Sequence, residues 1–267
     1  MNRRTGLTSH LVVAGLAFGA GALGTWLLRG RARRDPVTTH GEWVYVKKST
    51  GDSVRAYVTY PERKDRAAAV IVIHEIFGLT DWEPTVGDRL AGKGYVTIVP
   101  DLLSSRYGIT PPNPDSGRKL TAQLVPDQVT ADLDAVYQYV SRLPSVNPDH
   151  VGVIGFCWGG GQTFRYATNN PKLKAAVVCY GPNPDTTALS RIQAPVLGVY
   201  GENDARINSM LPTVGRIMSG LGKRFTVDSY PGTGHGFLKP GRKGSDTEQV
   251  EKAWGRIEQF FKENLSK

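Results

Sequence analysis

The feature that most constrains this chain is a cluster of glycines around one cysteine, directly after a short apolar run. The run covers residues 151–156, and the cluster is Gly155-Phe156-Cys157-Trp158-Gly159-Gly160-Gly161. Short apolar runs rich in Val and Ile are typical of strands that are buried on both faces. Glycines on both sides of the cysteine predict a turn from strand to helix that is too tight for side chains. Such a turn would present Cys157 at the carboxyl end of a strand.

Strand-like and helix-like segments alternate through residues 42–267, which predicts an α/β fold. Residues 43–48 and 54–60 are predicted as two strands joined by a turn at 49–52. Six further strands are predicted at 68–74, 95–100, 151–156, 174–180, 195–200 and 225–230. Helices are predicted at 85–93, 127–143, 158–168, 209–221 and 247–264, and residues 104–120 as the longest irregular loop. We therefore expect a mostly parallel central sheet with helices on both faces and right-handed crossovers.

Composition excludes several classes of protein. A chain of 267 residues with 40% apolar side chains can bury a full core. Two cysteines, Cys157 and Cys179, cannot form a disulfide framework or a four-thiolate metal site. The net charge of +9 falls to +3 without the six Arg of residues 1–34, so no nucleic-acid partner is expected. We expect a monomer that acts on a small molecule, with no metal and no organic cofactor.

The amino-terminal 34 residues have the composition of a membrane-directing segment. Residues 11–28 carry no charge and are flanked by Arg on both sides, so the orientation stays open. As a helix they would span about 27 Å, close to the roughly 30 Å hydrocarbon core of a bilayer. A retained anchor and an export signal cleaved near Ala20-Gly21-Ala22 are both consistent with this pattern. We expect a signal or an N-terminal hydrophobic helix at 1–34, a linker at 35–41, the folded α/β domain at 42–267, and a location at the membrane or in the cell envelope.

A nucleophilic cysteine needs a base, and the base needs an orienting acid. His235 directly follows the strand predicted at 225–230, and Asp204 follows the one at 195–200. The carboxyl ends of parallel strands meet at one edge of a sheet, where ligands bind in open α/β folds. Asp185 and Asp228 compete for the role of the acid, but Asp185 comes one strand too early and Asp228 lies within a strand. The alternative for Cys157 is a buried structural cysteine.

Three blocks of sequence resemble the dienelactone hydrolase family of the α/β-hydrolase superfamily. They are His74-Glu75-Ile76-Phe77-Gly78-Leu79, the turn around Cys157, and Gly234-His235-Gly236-Phe237. The likeness runs from about residue 41 to the carboxyl terminus. It implies an α/β-hydrolase fold and a carboxylic ester hydrolase similar to carboxymethylenebutenolidase. It also implies a triad of Cys157, Asp204 and His235 that cleaves esters or lactones through an acyl-thioester.

The resemblance extends to the groups around the nucleophile. It implies that Glu75 holds the resting thiol neutral until substrate arrives, the alternative being a structural ion pair. The amide of Trp158 is an oxyanion donor by the geometry of the turn, and the amide of Ile76 is the second by the family's pattern. Two arginines clamp the substrate carboxylate in the family, and their positions fall at Arg106 and Lys239. Lysine lacks the planar fork of arginine, so the grip should be weaker.

Two other functions and one other state of the thiols stay open. The chain could be a broader carboxylesterase or thioesterase whose substrate carries no carboxylate. It could also be a non-catalytic scaffold tethered to a membrane. Cys179 ends the strand next to Cys157 and is expected to fill the core, although a bridge between the two cysteines would form in an oxidising compartment.

Overall fold

The computed structural model describes residues 37–242, Ser245 and residues 247–266. The hydrophobic segment predicted at residues 1–34 lies outside them, and all described residues belong to one unit, residues 36–267. Within the described ranges, no helix combines the length and the apolar character needed to cross a membrane. The first strand begins at Thr39, inside the linker predicted for residues 35–41.

The described chain contains eight strands in one sheet, in the order β1-β2-β4-β3-β5-β6-β7-β8. The strands are β1 Thr39–Lys47, β2 Ser53–Pro61, β3 Ala67–Ile73, β4 Val96–Pro100, β5 Val146–Phe156, β6 Ala175–Cys179, β7 Val196–Gly201 and β8 Phe225–Tyr230. β2 is antiparallel to both β1 and β4, and all other neighbouring pairs are parallel. The predicted mostly parallel sheet is therefore confirmed.

Helices cover both faces of this sheet. They are α1 Trp82–Ala91, α2 Ser104–Tyr107, α3 Pro114–Thr121, α4 Pro126–Ser141, α5 Trp158–Asn169, α6 Ala205–Asn208, α7 Leu211–Gly220 and α8 Thr247–Leu265, with a 3-10 helix at Thr186–Arg191. Successive side chains of a strand alternate between faces. A Cβ added to Gly152 would press on Phe261 of α8, whereas one added to Gly155 would overlap Thr163 of α5. The central strands are consequently buried on both sides, as their apolar sequences predicted.

The loop predicted at residues 104–120 is the main error of the sequence prediction. It contains the two helices α2 and α3 instead of irregular chain. Its prolines, which suggested a loop, include one that starts a helix, because Pro114 occupies the first turn of α3. The side chain of Asn113 caps that helix by accepting from the Ser116 N–H at 2.9 Å. A further difference is β5, which begins at Val146 and includes His150.

The tight turn after β5 is confirmed and explains the glycines around it. Cys157 adopts φ 55° and ψ −114°, a conformation that L residues rarely occupy. Added Cβ atoms on Gly155 and Gly159 would overlap the backbone oxygens of Gly159 and His74. One on Gly160 would lie 2.6 Å from the Cys179 carbonyl oxygen. Helix α5 can thus approach β3 and β6 only without side chains at these positions.

This close approach predicts opposite effects for two Gly→Ala substitutions in helices. In Gly159→Ala the new methyl group overlaps backbone that cannot move cheaply, so we expect a loss of about 2 kcal/mol or more in unfolding free energy. Gly255 in α8 has no atom within 4 Å of such a methyl group, and Gly255→Ala should stabilise by about 0.5–1 kcal/mol. Urea denaturation of both variants measures the difference. Equal stability of Gly159→Ala and the unaltered protein would contradict the packing described here.

Candidate active site

Cys157 lies between β5 and α5 at the carboxyl edge of the sheet, and its side chain is half-buried. Burial raises the pKa of its thiol, and the negative charge of Glu75 raises it further. The Trp158 N–H and the positive charges of Arg242 and Arg206 act in the opposite direction but do not cancel these effects. The resting cysteine is therefore a neutral thiol near pH 7, even though it begins a helix.

Asp204 and His235 are paired at the same edge of the sheet. Asp204 follows β7 and His235 follows β8, and the two strands are parallel neighbours. The Oδ2 atom of Asp204 lies 2.5 Å from Nδ1 of His235. The side chain of Asp204 is 7% exposed, while that of His235 is 30% exposed. The buried carboxylate therefore holds one ring nitrogen and leaves Nε2 available for proton transfer.

The two competing acids are engaged elsewhere. Asp185 caps the 3-10 helix, since its Oδ1 atom accepts from the Thr187 N–H at 2.9 Å. Asp228 lies within β8 and forms an ion pair with Arg256 at 3.0 Å. Of the three candidate acids, Asp204 is the one that contacts His235.

Glu75 is almost fully buried, with a side chain that is 1% exposed, and it lies between two cations. Its Oε2 atom is 2.9 Å from Nη2 of Arg242 and 3.4 Å from Nζ of Lys239. A buried carboxylate is costly unless it is paired, and these contacts provide the pairing. Lys239 was predicted near substrate, whereas Arg242 was missed. Arg242 comes seven residues after His235 in an irregular segment, where spacing along the chain carries no information about contacts.

The loop that carries Glu75 is held by a second buried carboxylate, Glu83 in α1. Its Oε1 atom accepts from the Glu75 N–H at 3.3 Å. Its Oε2 atom accepts from the N–H and the hydroxyl of Thr80, at 2.9 and 2.6 Å. Sequence analysis missed Glu83, although Thr80-x-x-Glu83 has the pattern of a capping box.

The two backbone amides predicted as oxyanion donors have no protein oxygen as their acceptor. In the part of the chain that the structure describes, the N–H groups of Ile76 and Trp158 donate to no protein oxygen. Trp158 is the first residue of α5, where helix N–H groups are unpaired by geometry. Its indole ring stacks on His74 with ring centroids 5.3 Å apart. Both amides are therefore free to bind an oxygen of a ligand.

His74 supports the site without acting as a metal ligand. Its Nε2 atom accepts from the Leu102 N–H at 3.3 Å, so Nδ1 carries the proton and donates to the Glu75 carbonyl at 2.7 Å. Both ring nitrogens of this buried side chain are thus occupied. Over the residues that the structure describes, no three His, Cys, Asp or Glu side chains form a group that could hold a metal ion.

Arg106 is not among the cations that pair with Glu75, which are Arg242 and Lys239. It belongs to the short helix α2, and its side chain is exposed. Its Nη1 atom donates to the Gln123 carbonyl at 3.4 Å, and its guanidinium lies 5.4 Å from the ring centroid of Tyr107. It lines a cavity of 720 Å³ together with Lys48 and Ser105. Its predicted contact with substrate stays a prediction.

Known proteins are similar to this chain over most of its length. A profile of the dienelactone hydrolase family matches residues 54–265. A Salmonella typhimurium protein assigned as a carboxymethylenebutenolidase is 34% identical over 230 residues, which cover 80% of this chain and 84% of the relative. A Saccharolobus solfataricus protein with the same assignment is 31% identical over 251 residues, covering 80% and 95%.

Solved structures show the same fold. The crystal structure of a Klebsiella pneumoniae protein assigned as a dienelactone hydrolase has a TM-score of 0.77 and 30% identity, covering 84% of this chain and 98% of that one. A dienelactone hydrolase-like phosphotriesterase from metagenomic libraries, at 20% identity and a TM-score of 0.75, supports the fold alone. The α/β-hydrolase fold expected from the sequence is confirmed.

The charges around Cys157 predict that two substitutions shift the pKa of its thiol in opposite directions. Glu75→Gln removes the negative charge that raises the pKa of Cys157, so alkylation by iodoacetamide should begin about one pH unit lower. Arg242→Gln removes a positive charge that lowers this pKa, so the alkylation profile should move upward. The rate of alkylation against pH measures both. Cys179 does not interfere, because complete burial raises its pKa well above the usual value. Shifts of both variants in the same direction would contradict this electrostatic description.

Proposed function

Because the chain belongs to the dienelactone hydrolase family, we propose that it is a hydrolase of carboxylic esters or lactones that attacks its substrate with Cys157. One observation carries the proposal. The strained cysteine and the paired Asp204 and His235 lie at the carboxyl edge of a single parallel sheet. Their chain order, nucleophile then acid then histidine, is the order used by this fold.

In the proposed acylation, Nε2 of His235 takes the thiol proton of Cys157 as the sulfur bonds to the substrate carbonyl carbon. The carbonyl oxygen becomes negative and is bound by the N–H groups of Ile76 and Trp158. The bond from carbon to the leaving oxygen then breaks, and His235 returns its proton to that oxygen. An alcohol leaves, or the lactone ring opens, and the acyl group stays on the sulfur as a thioester.

In the proposed deacylation, His235 takes a proton from water while the water oxygen attacks the thioester carbon. The same two amides bind the second oxyanion. The carbon–sulfur bond breaks, the sulfur regains a proton from His235, and a carboxylic acid leaves. Asp204 keeps the imidazole in the correct tautomer and stabilises its protonated form in both halves of the reaction.

The contacts of Glu75 support coupling between substrate binding and activation. At rest Glu75 is neutralised by Arg242 and Lys239, and its charge keeps Cys157 protonated. An anionic group on the substrate would compete with Glu75 for these two cations. Displacement of Glu75 would take its negative charge away from the sulfur and so lower the pKa of Cys157, which makes transfer of the thiol proton to His235 easier once substrate is bound. The cations favour substrates that carry a carboxylate.

Substitution of the proposed nucleophile and base tests the covalent mechanism. We expect Cys157→Ala and His235→Asn each to lower kcat for an aryl ester and a lactone by about 10³-fold or more. The measurement is hydrolysis by purified protein, with circular dichroism to confirm folding. Cys179→Ala, which removes the other thiol, is the matched control and should keep its activity. Folded Cys157→Ala with full activity would refute the mechanism. Absence of hydrolysis by the unaltered protein, with two equally slow thiols, would favour the scaffold instead.

The predicted carboxylate clamp separates a dienelactone hydrolase-like enzyme from a broader esterase. If Arg106 binds the substrate carboxylate, Arg106→Ala should raise KM for an acidic ester about tenfold, because one ionic hydrogen bond is lost. The neutral analogue of the same ester should change less than about twofold. Steady-state kinetics on the pair measures the difference. Equal effects on both esters would favour a carboxylesterase or thioesterase without a preference for carboxylates.

A further inference from the structure

Tyr180 shares an unusual backbone conformation with Cys157. Among the non-glycine residues that the structure describes, these two have positive φ, 40° for Tyr180 and 55° for Cys157. They are also neighbours, because the Cys157 N–H donates to the carbonyl of Cys179, the residue before Tyr180, at 3.0 Å. Such strain persists only where the surrounding structure imposes it, and it is concentrated at functional sites.

The hydroxyl of Tyr180 is buried without a hydrogen-bond partner. Its side chain has 0% exposure, and no acceptor or donor within the described chain contacts its oxygen. Two other fully buried tyrosines differ, since Tyr166 donates to the Leu133 carbonyl at 3.1 Å and Tyr200 to the Gly181 carbonyl at 3.3 Å. An unpaired buried hydroxyl lowers stability, so its presence calls for a physical reason.

The ring of Tyr180 is fixed against the paired histidine. It meets His235 edge to face with centroids 5.2 Å apart, and it contacts Phe237 on another side at 6.0 Å. Burial raises the pKa of its phenol well above the usual value, and Glu75, Cys179 and Cys157 contribute to the rise in that order. The hydroxyl is therefore a permanent donor, and it lies within electrostatic range of the sulfur and of Glu75.

We propose that the Tyr180 hydroxyl is a hydrogen-bond donor for the Cys157 sulfur, and that it binds this sulfur when the sulfur is a thiolate. The inference rests on the proposed function, because it concerns the same nucleophile. The hydroxyl makes no hydrogen bond to the sulfur in the resting structure, and a thiolate accepts a hydrogen bond much more strongly than a neutral thiol does. The thiol proton passes to His235, and Tyr180 keeps its own proton throughout.

Tyr180→Phe tests the inference through a readout that a structural role would not change. Loss of a hydrogen bond to a charged atom should move the midpoint of the Cys157 alkylation profile upward by about one pH unit. At neutral pH, kcat/KM should fall about tenfold. The melting temperature should stay equal or rise, because the substitution removes an unpaired buried hydroxyl. Loss of activity together with undiminished stability is the expected signature.

Two controls separate this effect from burial alone. Thr97 in β4 also has a buried hydroxyl without a partner in the described chain, so Thr97→Val should match the stability change and leave the alkylation profile unaltered. Tyr200→Phe removes a hydroxyl that has a partner, and should lower the melting temperature without moving the profile.

Each outcome decides for or against the inference. A profile of Tyr180→Phe that superimposes on that of the unaltered protein overturns it, as does a clear fall in melting temperature, which would reveal a structural partner of the hydroxyl. Alkylation requires no turnover, so either result leaves the proposed hydrolysis untouched. Failure of the proposed function would appear instead as full activity of Cys157→Ala.

Discussion

The site depends on one steric constraint, the contact of helix α5 with the backbone at the ends of β3 and β6. Gly155, Gly159 and Gly160 occupy the contact, and any side chain there would overlap backbone atoms. The contact forces Cys157 into positive φ and raises its side chain above the sheet edge. It also brings the Trp158 amide beside the sulfur, as the lowering of the Cys157 pKa by this N–H shows. One packing contact thus positions both the proposed nucleophile and one of its proposed oxyanion donors.

Burial and the charges at this edge keep the thiol of Cys157 protonated at rest. A helix N-terminus alone favours a thiolate, but burial and the charge of Glu75 outweigh it at Cys157. The charge of Glu75 is itself tolerated because Arg242 and Lys239 neutralise it from partly exposed positions. Glu83 holds the backbone of the loop that carries Glu75, because it accepts from the N–H groups of Glu75 and Thr80. The pKa of Cys157 therefore depends on Glu75 and on Arg242, which pairs with Glu75 and also acts on the thiol directly.

The parts of this structure that could be predicted from sequence are those that local patterns specify. Buried strands appear in the sequence as continuous apolar runs. The glycines around Cys157 predict a tight turn from strand to helix, and that turn predicts where the side chain of Cys157 and the amide of Trp158 lie. Asp204 and His235 could be found because parallel strands end at a common edge. Arg242 lies in an irregular segment and Glu83 in the first turn of helix α1. Neither position is part of a periodic sequence pattern, so periodicity could not predict their contacts with the site. The prolines of residues 104–120 indicated a loop, but a proline can either start a helix or break one, and the sequence pattern alone does not distinguish the two. In the structure, the cap formed by Asn113 shows that Pro114 starts a helix.

The hydrogen-bond donors around Cys157 form a pattern that stability alone does not explain. Within the described residues, the amides of Ile76 and Trp158 donate to no protein oxygen, and the hydroxyl of Tyr180 has no hydrogen-bond partner. The unpaired buried hydroxyl of Tyr180 costs free energy in the resting protein, and strain at Cys157 and Tyr180 adds to that cost. In the proposed mechanism, negative charge develops on the sulfur and on the substrate oxygen only during turnover. Donors that are unpaired at rest would then bind the activated state more strongly than the resting one, and that difference in binding would lower the barrier to reaction.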